Sequence, residues 1–178
     1  HPKQKKGTYQ EEMDYLVSCT ARNNFITNLV ASLKGNTLVL FQYVEKHGEV
    51  LYPMLEKRVK DLHYVYGGTD TEDRESVREL VEKGKDSVIL ASYGTFSTGI
   101  NIKKIDNVVF ASPSKSRIRN LQSIGRGLRK AEGKDNMRLF DIADDLGCDN
   151  YTLAHLTTSS LHLGDVRSGC MDDLLACL

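Results

Sequence analysis

The residues best equipped for chemistry lie in QSIGRGLRK at 122–130. A helix advances about 100° per residue, which puts Gln122, Arg126 and Arg129 within roughly 60° of one another. Leu121, Ile124 and Leu128 form a separate apolar stripe, so the segment has one side for a sheet and a cationic side for something else. Guanidinium groups suit phosphate because they stay charged and present a rigid fork of donors. Two on one face could grip a triphosphate end as charge moves during cleavage, which is the chemistry of an arginine finger. Taken alone, the stretch also reads as two solvated arginines on a surface helix. Gly125 and Gly127 each cost a helix about 1 kcal/mol relative to alanine, which points to close approach of another backbone or a ligand.

A second stretch, ASYGTFSTGINI at 91–102, follows directly from an apolar run and supplies the hydroxyls of Ser92, Thr95, Ser97 and Thr98 with glycines at 94 and 99. Hydroxyls and backbone N–H groups in such a loop can meet phosphate oxygens, and glycine lets the main chain come close. The plainer alternative is an ordinary strand-to-helix turn rich in small residues.

Equally informative is what the chain lacks. A complete nucleoside triphosphatase of this kind needs a phosphate loop and an acidic pair for magnesium. No GxxxxGK[ST] occurs, and Asp144 and Asp145, which follow MRLFDIA, have no phosphate loop to work with. No GxGxxG follows an expected strand, which argues against a dinucleotide-binding fold. The cysteines, Cys19, Cys148, Cys170 and Cys177, form no CxxC pair and the histidines no HExxH pattern, so reduced thiols are expected rather than a metal site.

Positioning these stretches requires strands. TLVLF at 37–41, HYVY at 63–66, SVILAS at 87–92, NVVFAS at 107–112 and MRLFDI at 137–142 are nearly continuous in apolar residues, as in sheets covered on both faces. Between them run amphipathic segments. Ile26, Leu29, Val30 and Leu33 repeat at helical spacing in 22–34, and Val77, Leu80 and Val81 do so in 71–83. Thr69 with Glu72 predicts a capping box for the latter and Gly84 its C-cap. The alternation predicts an α/β fold, an open, mainly parallel sheet with helices on both faces and ligands beyond the carboxyl ends of the strands.

The sequence has 178 residues, 40% of them hydrophobic, with a formal net charge of zero, and one compact domain is expected. The average hides an asymmetry, because 103–130 holds eight Lys or Arg against Asp106 alone, whereas seven aspartates oppose Arg167 from 141 onward. The basic stretch would bind an anion or form a solvated face. No run reaches the roughly 20 apolar residues of a membrane span and no signal peptide pattern opens the chain, so a cytoplasmic protein is expected. Residues 1–9 read as a linker from a preceding lobe, 10–155 as the domain, and 156–178 as an unassigned tail.

Taken together, LVLFQYV at 38–44, ASYGTFSTGIN at 91–101 and QSIGRGLRK at 122–130 resemble motifs IV, V and VI of superfamily 2 helicases, in the order and spacing of a second, C-terminal RecA-like lobe. TYQEEMDYL near the start and VYGGTDTEDR at 65–74 are similar, more narrowly, to phage recombination and repair helicases, and the resemblance covers about residues 7–155. It implies that ATP and Mg²⁺ are held mainly by an N-terminal helicase lobe of the same parent chain, with Arg126 and Arg129 facing the phosphates, Arg129 as the finger and Gln122 near the same interface. Gly99 and Asn101 would lie close to the nucleotide and its ribose. Many relatives carry aspartate where Asn101 stands, which leaves an acceptor without charge. Ser92, Thr95, Phe41 and Gln42 would lie nearer the backbone of a DNA strand, single-stranded or branched, and RNA is also compatible. The narrower resemblance implies the cytoplasm of a phage-infected cell. A translocase that does not separate strands shares these motifs. A nonenzymatic α/β module that binds a nucleotide or nucleic acid through the basic stretch is the alternative from another class.

Overall fold

The computed structural model describes residue 1 and residues 4–97, 102, 104–113, 137–148, 150 and 151. Five strands form one sheet: β1 (Thr37–Phe41), β2 (Leu62–Val65), β3 (Val88–Ser92), β4 (Asn107–Phe110) and β5 (Arg138–Asp141). Their order is β2-β3-β1-β4-β5 and every pairing is parallel. Each strand falls on an apolar run singled out in the sequence. The three inner strands are buried along their whole length, as their unbroken apolar character requires, while β2 and β5 are only partly buried at the two edges.

Successive strand residues point to opposite faces, and the core divides accordingly. Leu38, Leu40, Ile89, Ala91, Val108 and Phe110 pack with Val81 of helix α4 (Thr71–Lys83) on one face. Val39, Phe41, Leu90 and Val109 pack on the other with Ile26 and Val30 of α2 (Thr20–Ser32) and Leu51 and Leu55 of α3 (Glu49–Glu56). The register sets Phe41 beside Ser92, Leu40 beside Phe110 and Val65 beside Ala91. The carboxyl ends are therefore nearly level, and the loops that leave them share one edge.

The helices differ from expectation in two places. An additional helix, α1 (Tyr9–Ser18), precedes α2 and carries a complete capping box: Glu11 N–H donates to Thr8 Oγ1 at 3.3 Å, and Thr8 N–H donates to the Glu11 carboxylate at 2.7 Å. At α4 the predicted box does not form. Thr69 Oγ1 instead accepts the N–H of Tyr66 at 3.0 Å, and Asp70 takes the N-cap position without a side-chain cap bond. The hydroxyl closes the preceding turn, which uses the same lone pairs. Gly84 ends α4 as expected, donating its N–H to Leu80 O at 2.8 Å with its backbone extended at φ -81°, ψ 172°.

A π-helical turn (Val44–Gly48) joins β1 to α3 and rolls His47 inward, its N–H and that of Gly48 both donating to Tyr43 O. A short helix, α5 (Tyr93–Ser97), follows β3. Ahead of α1, Gln4 N–H donates to Leu146 O at 2.8 Å and the His1 ring meets Asp144 Oδ1 at 2.8 Å, so these residues lie against the outlet of β5.

Candidate nucleic-acid interface

At the carboxyl edge lies an open cleft of about 450 Å³, lined by Gln42 and Val44 beyond β1, Gly67 beyond β2, Ser92, Gly94 and Thr95 at the β3 outlet, and Arg74 of α4. Three residues predicted from sequence, Gln42, Ser92 and Thr95, meet here. Ser92 Oγ and Thr95 Oγ1 are 2.8 Å apart, and Thr95 N–H reaches Ser92 Oγ at 3.4 Å, which holds both hydroxyls at the start of α5. A Cβ built on Gly67 or Gly94 would meet no protein atom within 4 Å, so these walls are bare main chain facing open space.

The side chain of Phe41 is wholly buried, its ring 5.8 Å from that of Tyr64. What Phe41 brings to the edge is main chain. Gly99, Asn101, Gln122, Arg126 and Arg129 lie outside the described residues.

Sequence reasoning missed Arg74. Its Nη2 makes long contacts with the carbonyls of Gly67 and Tyr66, at 3.3 and 3.5 Å, and its Nε is buried without a hydrogen-bond partner. A half-buried guanidinium lining the cleft beside paired hydroxyls and a carboxamide is suited to a phosphate diester, which offers only acceptors. The signal was its position at the end of VYGGTDTEDR, one helical turn inside α4 and close to the strand outlets.

Behind the cleft, polar side chains tie its loops together. Gln42 N–H donates to Ser112 Oγ at 3.1 Å, Ser112 Oγ lies 2.7 Å from His47 Nδ1, and His47 Nε2 lies 3.2 Å from Asn23 Oδ1. Tyr93 Oη donates to Ser112 O at 2.7 Å, so Ser112 fastens the β1 and β3 outlets to the end of β4. Burial, reinforced by the nearby Arg22 charge, lowers the His47 pKa to about 3 and keeps the ring neutral. Arg22 donates from Nε to both Asp144 oxygens at 2.9 Å and from Nη1 to Ala111 O at 2.7 Å. Burial raises the pKa of Asp144, an effect that Arg22 partly offsets. Asp144 thus serves a buried ion pair.

The model of the helicase conserved C-terminal domain matches residues 21–131, a span that includes the cleft and runs through QSIGRGLRK. The chain belongs to the helicase C-terminal domain family. This helicase domain is 39% identical over 148 residues to the ATP-dependent DNA helicase uvsW of Enterobacteria phage T4, covering 82% of this chain and 29% of that protein. It superposes on the crystal structure of T4 UvsW with a TM-score of 0.78 and 34% identity, over 90% of this chain and 36% of that one. The C-terminal domain of the DEAD-box protein Dbp5 shares the fold, with a TM-score of 0.64 and 18% identity over 85% of this chain and 83% of that one. The RecA-like lobe expected from the sequence is the fold observed.

Among the described residues of the helicase domain, no three His, Cys, Asp or Glu side chains gather as metal donors. Cys19 and Cys148 are free thiols. None of the described helices is long and apolar enough to cross a membrane.

Proposed function

We propose that this domain is the second motor lobe of an ATP-dependent DNA helicase or translocase that acts on branched DNA in recombination and repair. The observation that carries the reading is the gathering of Gln42, Ser92, Thr95 and Arg74 in one open cleft at the carboxyl edge of the sheet, in a domain similar to an ATP-dependent DNA helicase. A strand would lie across this edge, its phosphates meeting the hydroxyls and the guanidinium. Such contacts ignore base identity, so binding would follow DNA structure rather than sequence.

ATP and its magnesium would be held by an N-terminal lobe of the same parent chain. Arg126 and Arg129 would face the phosphates from this side, Gln122 would stand at the same interface, and Gly99 with Asn101 would border the nucleotide. Closing and opening of the two lobes on one strand would shift the protein along it. The setting would be the cytoplasm of a phage-infected cell.

The test is ATP turnover, with and without single-stranded and branched DNA, by this domain alone and by the domain joined to its native N-terminal lobe. The reading expects an inert domain and DNA-stimulated turnover by the joined protein. It also expects Arg126→Lys or Arg129→Lys in the joined protein to nearly abolish hydrolysis while leaving DNA binding largely intact. Turnover by the domain alone would overturn the split site, and near-normal turnover by both lysine variants would overturn the finger assignment.

A further inference from the structure

Beside the phosphate cleft, but on the α3 side of the sheet, aromatic rings run outward from the core. Phe41 is fully buried and packs 5.8 Å from Tyr64 at 34°. Tyr64 lies 5.3 Å from Tyr52 at 33° and 5.1 Å from Tyr66 at 35°. Tyr66 comes last and is 36% exposed at the carboxyl edge.

The ring of Tyr66 is held in place. Its N–H donates to Thr69 Oγ1 at 3.0 Å and its carbonyl accepts the Thr69 N–H at 2.9 Å, which closes the turn from both ends. A Cβ on Gly68 would come within 2.8 Å of Tyr66 Cε2, so the ring edge lies over Gly68. With Tyr64 beneath it, the exposed ring has little freedom to lose on binding. A tyrosine fixed in this way offers an aromatic surface at small entropic cost.

Its location decides what that surface meets. The next residue, Gly67, lines the cleft, and Arg74 contacts the carbonyls of both Tyr66 and Gly67. In a nucleic acid strand every phosphate carries a base one sugar away, so a strand whose phosphates occupy the cleft must bring a base to its rim. We propose that Tyr66 is a stacking platform for one nucleobase of the bound strand. The proposal rests on the nucleic-acid reading of the cleft and adds to it a contact with a base rather than with the backbone. Stacking needs only a π-face, so the platform would accept any of the four bases while distinguishing a base from its absence.

The experiment uses the full-length protein that carries this domain and fluorescein-labelled single-stranded oligonucleotides in which one abasic residue is moved along the strand. Salt-dependent binding of the intact strand, a loss at one abasic position of between about 5-fold and about 150-fold, and a similar loss for Tyr66→Ala on the intact strand are expected. Tyr66→Ala should lose nothing more at that abasic position. Tyr66→Phe should bind as the unaltered protein does, and Tyr66→Leu, which keeps apolar bulk without a π-face, should behave like the alanine variant. Unchanged binding by Tyr66→Ala, binding by Tyr66→Leu equal to that of Tyr66→Phe, or losses that add in full would overturn the platform while leaving the cleft as a phosphate site. Absence of any salt-dependent binding by the unaltered protein would overturn the cleft reading and the platform together.

Discussion

The hydroxyl of Ser112 donates to Nδ1 of His47 across 2.7 Å, and the direction of that bond follows from their neighbours. Asn23 Nδ2 donates to Val17 O at 2.9 Å, which turns Oδ1 toward His47 as an acceptor. His47 must therefore carry its proton on Nε2 and accept at Nδ1, while Ser112 Oγ takes the N–H of Gln42. One directed chain runs from the cleft to the end of α1, and it closes only with a neutral imidazole.

Ser112→Ala should destabilise the domain by about 1–3 kcal/mol, because it strands a buried acceptor on His47 and the Gln42 N–H at the cleft. Urea unfolding of the two proteins at neutral pH checks this. An unchanged midpoint would mean the chain is not held as described.

Acid should weaken the fold through His47. Its folded pKa, about 3, lies below the ordinary 6.5, so between those values the unfolded chain takes a proton that the folded chain refuses. Stability is intact above about pH 6.5 and falls below it, by at most about 1.4 kcal/mol per pH unit from this group. Asp144, with its pKa raised by burial, works in the opposite sense as pH falls. Urea midpoints measured from pH 7 to pH 4 should decline, and His47→Gln should flatten the decline.

The pairing of Arg22 with Asp144, both almost fully buried, gives a third expectation. Arg22→Leu leaves a buried carboxylate with only the His1 ring against it and should cost about 3–5 kcal/mol. Adding Asp144→Leu should recover much of the loss. If the double variant is no better than the single one, the hydrogen bond from Arg22 to Ala111 O carries the effect instead.

Arg74→Ala should weaken binding of single strands by a similar factor whatever their sequence, and should lower the slope of log affinity against log salt by about 1. Titrations at several salt concentrations with two unrelated strands measure both quantities. A sequence-dependent loss would place the guanidinium on a base instead of a phosphate.

The sheet was legible because parallel strands buried on both faces must be nearly continuous in apolar residues, and TLVLF and VILAS are. The resemblance to helicase motifs IV and V singled out Gln42, Ser92 and Thr95, and the structure brings the three to one cleft at the strand outlets. α1 was overlooked because its apolar positions are few, although Thr8 and Glu11 spell a capping box. Arg22, Asn23 and Thr27 share the buried stripe of α2 with Ile26 and Val30, and hydrophobic spacing registers no polar residue there. Arg74 sits among Glu72, Asp73 and Glu75, a composition that reads as a solvated face; the fold of the Tyr66–Thr69 turn brings it to the cleft.

The placement of β1 bears on how the chain is made. It is the central strand, yet its partners β3 and β4 are synthesised well after it, and no hairpin joins any pair. A growing chain therefore carries TLVLF without a neighbour until β3 has left the ribosome, and with one side unpaired until β4 follows; sheets that depend on such distant pairings form slowly. The emerging domain should be most prone to aggregate in that interval and should lean on chaperones then, so changes that slow translation between residues 41 and 107 would reduce soluble yield without altering the finished fold.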